Sequence, residues 1–132
     1  MQQRVKKVAL VGYTALIGYV SLAKDSSPNR VLPDLNSYGV TDLDKMAHLG
    51  AYTLFAVIAI LALGLKSLKS IAICAAIIAV YSGVLEGLQT FVPLRETSWL
   101  DFFANNIGII LGSLLMQWWL YSPKAERNKW RK

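Results

Sequence analysis

The sequence predicts an all-α fold: a polytopic membrane protein built as a four-transmembrane-helix bundle, with consecutive helices paired as antiparallel hairpins. Three observations predict it. Long stretches are almost free of charge, and the charged residues crowd between them. Two connections are very short, 66–69 and 93–98. The basic excess, 14 Lys and Arg against 8 acids, gathers at the two ends of the chain. A hydrophobic share of 55% leans toward a membrane only weakly, because soluble domains come close to half. The distribution along the chain decides it. A length of 132 residues suits a single domain, 1–132.

The first apolar run, 8–23, falls short of the roughly 20 residues that cross the hydrocarbon core. It spans as a helix over 6–23 when the turn holding Lys6 and Lys7 is helical and those side chains snorkel. A cleavable signal peptide is the rival reading, on the basic start and the sequence Ser21-Leu22-Ala23. The apolar run reaches the long end of the signal range, which favours a retained helix.

The segment 24–43 is a polar loop with the turn residues Pro28, Asn29, Pro33 and Asn36, and it carries Asp25, Asp34 and Asp42. The second helix is expected over 46–65 and the third over 70–92, with the tight link 66–69 between them. The link 93–98 leads to the fourth helix, 99–121, with Ser98 as its N-cap. No internal repeat is present.

Lys and Arg placement sets the orientation. With both termini in the cytoplasm, that side holds Arg4, Lys6, Lys7, Lys66, Lys69, Lys124, Arg127, Lys129, Arg131 and Lys132. The outer side then holds only Lys24, Arg30, Lys45 and Arg95. Trp118, Trp119 and Tyr121 fall at the inner interface and Trp99 at the outer one, as aromatic anchors do. The expected location is therefore a bacterial cytoplasmic (inner) membrane, multi-pass, with both termini cytoplasmic.

Other classes lack support. The basic balance would suit nucleic acid in a soluble protein, but no nucleic-acid motif is present and no such partner is expected. The single Cys74 excludes an intramolecular disulfide and a Cys-rich metal site, and reads as a small buried hydrophobe. One histidine and scattered carboxylates lack metal-ligand spacing, so neither a metal nor another cofactor is expected.

This topology draws the costly polar residues to one depth. Asp44, Lys45 and His48 fall at the outer end of helix two. Glu86 and Gln89 fall in the outer part of helix three, Arg95 in the outer link, and Asp101, Asn105 and Asn106 in the outer part of helix four. They also share faces. At about 100° per residue, Asp44 and His48 differ by about 40°, and Tyr52 continues their stripe. Glu86 and Gln89 differ by about 60°, and Asp101, Asn105, Gly108 and Gly112 fall within about 60°. Such stripes should face the bundle interior, since lipid would leave them unpaired. The pairs Gly83/Gly87 and Gly108/Gly112 form GxxxG spacings that let helix backbones meet.

Asp44-Lys45-x-x-His48-x-x-x-Tyr52, then Glu86-x-x-Gln89 with Pro93-x-Arg95, then Asp101-x-x-x-Asn105-x-x-Gly108 resembles the VanZ-like family. The motif-bearing part is roughly 42–112, and several polar residues match in order and spacing inside apolar helices. The resemblance implies a small multi-helix protein of the bacterial cell envelope. The name-giving member is associated with low-level resistance to the glycopeptide antibiotic teicoplanin. Most relatives have no assigned activity, so the family name carries little mechanism.

Each residue also has a plainer reading. Glu86 reads as a general base, proton carrier or headgroup ligand, or as an ion pair with Lys45 or Arg95 that fixes the hairpins. His48 one turn from Asp44 resembles an acid–base pair, yet it is also an ordinary i, i+4 contact, and Asp44 suits a helix N-terminus by capping and dipole alone. No nucleophile is evident, since Ser98 is better read as a cap. Arg95 suits a phosphate or carboxylate, or pairs with Asp101 or Glu86. Asn105 and Asn106 read as interhelical glue before they read as ligands.

The expectation that follows is a non-enzymatic envelope protein. It would bind an anionic lipid, a lipid-linked cell-wall intermediate or a glycopeptide at the outer leaflet. Lys45, His48, Glu86, Gln89, Arg95, Asp101 and Asn105 are the candidate ligand-binding residues. Asp44, Tyr52, Gly83, Gly87, Gly108 and Gly112 are the structural ones. Membrane lipids or a lipid-linked envelope component are the expected partners, and the glycine faces also allow an oligomer. The competing readings are a hydrolase or transferase on a lipid-linked substrate, with His48 or Glu86 as base, a small transporter, and a purely structural polar cluster.

Overall fold

The computed structural model of the chain describes residues 2–23, 43–92 and 98–122. Among them lie four helices and no strand: α1 (Gln2–Leu22), α2 (Leu43–Leu63), α3 (Leu68–Gln89) and α4 (Trp99–Tyr121). Each is long and apolar enough to cross a membrane. At 1.5 Å per residue, the 21 residues of α2 reach about 32 Å, close to the ~30 Å hydrocarbon core.

The helix ends follow local chemistry. α1 begins at Gln2, four residues earlier than the expected start at Lys6, because Arg4, Lys6 and Lys7 are helical with exposed side chains. α2 stops at Leu63, where Gly64 takes a left-handed φ of 64°. The Leu65 N–H then donates to the Ile60 carbonyl at 3.1 Å, closing a Schellman turn. Ser67 caps α3 by accepting from the Ser70 N–H at 3.1 Å, and so starts it two residues earlier than expected. The Thr90 hydroxyl donates to the Gly87 carbonyl at 2.7 Å where α3 ends. Ser98 caps α4 as its position predicts, accepting from the Asp101 N–H.

The packing order differs from simple hairpin neighbours. The four-residue link brings α3 back alongside α2, yet α2 packs chiefly against α4. Around the bundle the order is α1, α2, α4, α3, and among the described residues α1 and α4 do not touch. α2 and α4 run in the same direction: His48 meets Asn105 near one end, and the Tyr121 hydroxyl donates to the Lys66 carbonyl at the other. Small residues cause this pairing. A Cβ on Gly108 would collide with the Leu49 carbonyl and stand 3.0 Å from the Thr53 nitrogen. One on Gly112 would collide with the Thr53 carbonyl and stand 2.9 Å from the Ala56 methyl. The other GxxxG pair does no such work inside the chain. Gly83 has room for a methyl group at 3.4 Å from the Phe102 ring, and no described residue comes near a Cβ on Gly87.

α1 is the peripheral helix. Only 11% of its apolar window is buried, against 39% for α4. Val5, Val8, Val11 and Leu16 are exposed, an arrangement suited to hydrocarbon. Polar side chains anchor α1 by bonds to backbone carbonyls across helices. Tyr13 donates to Ala51 at 2.9 Å, Tyr81 to Thr14 at 2.8 Å, and Gln3 to Ala62 at 2.6 Å. Phe55 fills the middle of the bundle, with its ring 5.6 Å from Tyr13, 6.1 Å from Tyr52 and 6.0 Å from Tyr81. Cys74 is buried in the same core as a free thiol.

Candidate functional site

The parallel pairing of α2 with α4 sets two helix N-termini side by side, and the end of α3 joins them. Each N-terminus carries an acid in its first turn, Asp44 on α2 and Asp101 on α4, where the helix dipole favours negative charge. One turn further in, Asn105 sits 1% exposed between three helices. Its amide nitrogen donates to the Ser82 hydroxyl at 2.9 Å and to Glu86 Oε1 at 3.2 Å, both on α3. Its oxygen lies 3.0 Å from His48 Nδ1 on α2.

The network fixes its own protons. A carboxylate oxygen and a hydroxyl on one side require the NH2 end of the Asn105 amide there. The carbonyl end must then face His48, so Nδ1 carries the hydrogen of this bond. The Tyr52 hydroxyl, on a ring 2% exposed, approaches the Ser82 side chain and closes the inner edge of the cluster.

The other sequence-derived candidates divide. Asp44 is half-buried one turn from His48, but no hydrogen bond joins the two; its Oδ1 is buried without a hydrogen-bond partner. Asp101 Oδ1 is in the same condition. Lys45 is half-buried at this end. Gln89 is 2% exposed and turns away from the network: its amide donates to the Ser21 carbonyl of α1 at 3.1 Å. A helix step of about 60° from Glu86 is enough to send it to a different neighbour. Asn106 bonds the Phe102 carbonyl of its own helix at 2.7 Å and joins no other helix. Arg95 lies outside the described residues.

Sequence reasoning missed Ser82. The signal was present, since Ser82 precedes Glu86 by one helical turn and so shares its face. A serine among apolar helix residues stands out little, because its hydroxyl can be satisfied within its own helix. Among the described residues, no group of three His, Cys, Asp or Glu is placed to hold a metal ion.

A family model described as VanZ/LLP1 matches residues 2–120, nearly the whole chain. No curated protein and no solved structure gives a significant match.

Proposed function

The chain belongs to the VanZ-like family, and on that premise we propose that it is a non-enzymatic binding protein of the bacterial envelope, with its ligand site at the Asn105 end of the bundle. The ligand is the headgroup of a lipid-linked cell-wall intermediate, or a glycopeptide of similar chemistry, at the outer leaflet. One observation carries the reading. Asp44 Oδ1 and Asp101 Oδ1 are buried at the mouth of the cluster with no hydrogen-bond donor. Such acceptors are costly unless something satisfies them. A headgroup rich in hydroxyl and amide N–H groups supplies the donors, and Lys45 and Arg95 take its phosphate or carboxylate. The His48–Asn105–Glu86 network holds the walls of the site in place. A role in teicoplanin-type resistance would follow from capture of such a ligand. The orientation that puts this end outside follows from the placement of Lys and Arg.

Native mass spectrometry of the purified chain tests this, beside Arg95→Ala, Glu86→Gln and Asp101→Asn, each checked by thermal melt. A defined lipid-linked species on the wild type, lost from folded variants, supports the reading. A wild type with no retained species, together with variants that melt far lower, identifies the cluster as interhelical glue and removes the proposal. Turnover is the competing chemistry, because a His48 ring oriented through Nδ1 by Asn105 resembles a positioned general base. His48→Gln separates the two: a general base loses turnover by about 10²-fold or more, whereas a binder keeps partial function.

A further inference from the structure

Among the described residues, acids outnumber the single lysine, Lys45, at one end of the bundle, and the other end carries cations alone. Among the described residues every acid, Asp44, Glu86 and Asp101, lies at the Asn105 end. The opposite end carries Arg4, Lys6 and Lys7 on α1, Lys66 in the α2–α3 link and Lys69 on α3, all exposed. Gln3 donates to the Ala62 carbonyl, which sets the start of α1 beside the end of α2 and gathers these cations into one rim.

Directly above this rim a cavity of about 430 Å³ opens between α1 and α3, with α2 as its back wall. Leu10, Ala59, Cys74, Ile77 and Ile78 give it an apolar lining, and its lower edge is Leu65 and Ser70, next to Lys66 and Lys69. Its upper end is closed by Phe55 against Tyr81 and by the Tyr81–Thr14 bond. An apolar space of this kind does not hold ordered water, which needs two or more polar partners. The volume falls within the ~300–1,000 Å³ range of small-molecule sites. From Ser70 to Tyr81 the groove runs about 16 Å along α3, close to half of the ~30 Å hydrocarbon core.

We propose that this groove is a second lipid site, independent of the polar cluster: it takes one acyl chain of an anionic phospholipid from the leaflet on the cationic side. The headgroup phosphate sits at the Lys66, Lys69 and α1 rim. The length of the groove matches a single leaflet, its lining matches a hydrocarbon chain, and its rim matches a negative headgroup. A zwitterionic phospholipid fits the groove equally well but gains little from the rim.

Native mass spectrometry of the full chain, exchanged into micelles doped with phosphatidylglycerol or with phosphatidylcholine of the same acyl chains, tests this. One phosphatidylglycerol should be retained in strong preference to phosphatidylcholine. A cation near an anionic surface is worth roughly 1 kcal/mol, about fivefold, so the double variant Lys66→Gln/Lys69→Gln should weaken phosphatidylglycerol retention on the order of tenfold or more and leave phosphatidylcholine unchanged. Ile73→Trp should plug the mouth and abolish retention of both. Ile73 is 52% exposed, so the change leaves the core intact. Ile77→Trp, one turn above and 64% exposed, is an independent plug. Asp101→Asn should leave retention as in wild type, which separates this site from the polar cluster. Equal retention of the two lipids, wild-type retention by the double-glutamine variant or by a folded tryptophan variant, or loss of the lipid on an Asp101→Asn variant that melts as wild type would each overturn the proposal.

Discussion

Asn105 accepts from His48 Nδ1 at 3.0 Å across the α2–α4 interface, and through its nitrogen the same amide holds two side chains of α3. One side chain therefore joins three helices at the level of the candidate site. The adjacent Asn106 does not duplicate it, since its amide bonds within its own helix.

Replacing Asn105 with Ala should leave buried Ser82 and the half-buried His48 and Glu86 each short of a bond. Unsatisfied buried polar groups cost about 1–3 kcal/mol each, although membrane double-mutant cycles average nearer ~0.6 kcal/mol per hydrogen bond. The expected outcome is a clear drop in melting temperature in detergent. A double-mutant cycle with His48→Ala should return a coupling of at least ~0.6 kcal/mol. Coupling indistinguishable from zero would mean that the His48–Asn105 contact contributes nothing.

The two GxxxG pairs should respond in opposite ways to alanine. Gly108→Ala and Gly112→Ala drive a methyl group into the α2 backbone, so the α2–α4 contact must open. Overpacking of this kind costs about 1–3 kcal/mol. Gly87→Ala meets none of the described residues and should gain about 0.5–1 kcal/mol from reduced backbone entropy. Thermal melts of the three variants decide it, and similar destabilisation by all of them would contradict the assigned packing.

Gly64 is constrained by conformation and not by space. No described residue would crowd a Cβ there, but its φ of 64° lies in the left-handed region. Gly64→Ala should destabilise by about 1–2 kcal/mol, and Gly64→Asn by less, because Asn tolerates that region. Equal melting of Gly64→Ala and wild type would show that the Schellman turn is dispensable.

Gln89 and Asn105 serve different contacts and should act independently. Gln89→Leu loses the bond to Ser21 and should loosen α1, exposing the α1 end to protease earlier than in wild type. Its effect on melting should add to that of Asn105→Ala within about 0.3–0.5 kcal/mol, as for separate sites. Strong non-additivity would place Gln89 in the same network after all.

Much of this was legible in the sequence. Four spans, the Ser98 cap, and the gathering of Asp44, His48, Glu86, Asp101 and Asn105 at one end all follow from properties local to the chain. Hydropathy over about 20 residues, a capping side chain and a 3.6-residue repeat do not depend on which helix lies next door. Tertiary structure decided how these elements meet. Gly83/Gly87 and Gly108/Gly112 have the same spacing, yet only the second pair admits a neighbouring backbone. Gln89 shares a face with Glu86 by periodicity, yet the rotation of α3 gives one to α1 and the other to Asn105. Ser82 gained its role only when α4 was set against it. The physical reason is that the rotation and pairing of membrane helices are fixed by mutual packing and interhelical hydrogen bonds, which exist only between segments distant along the chain.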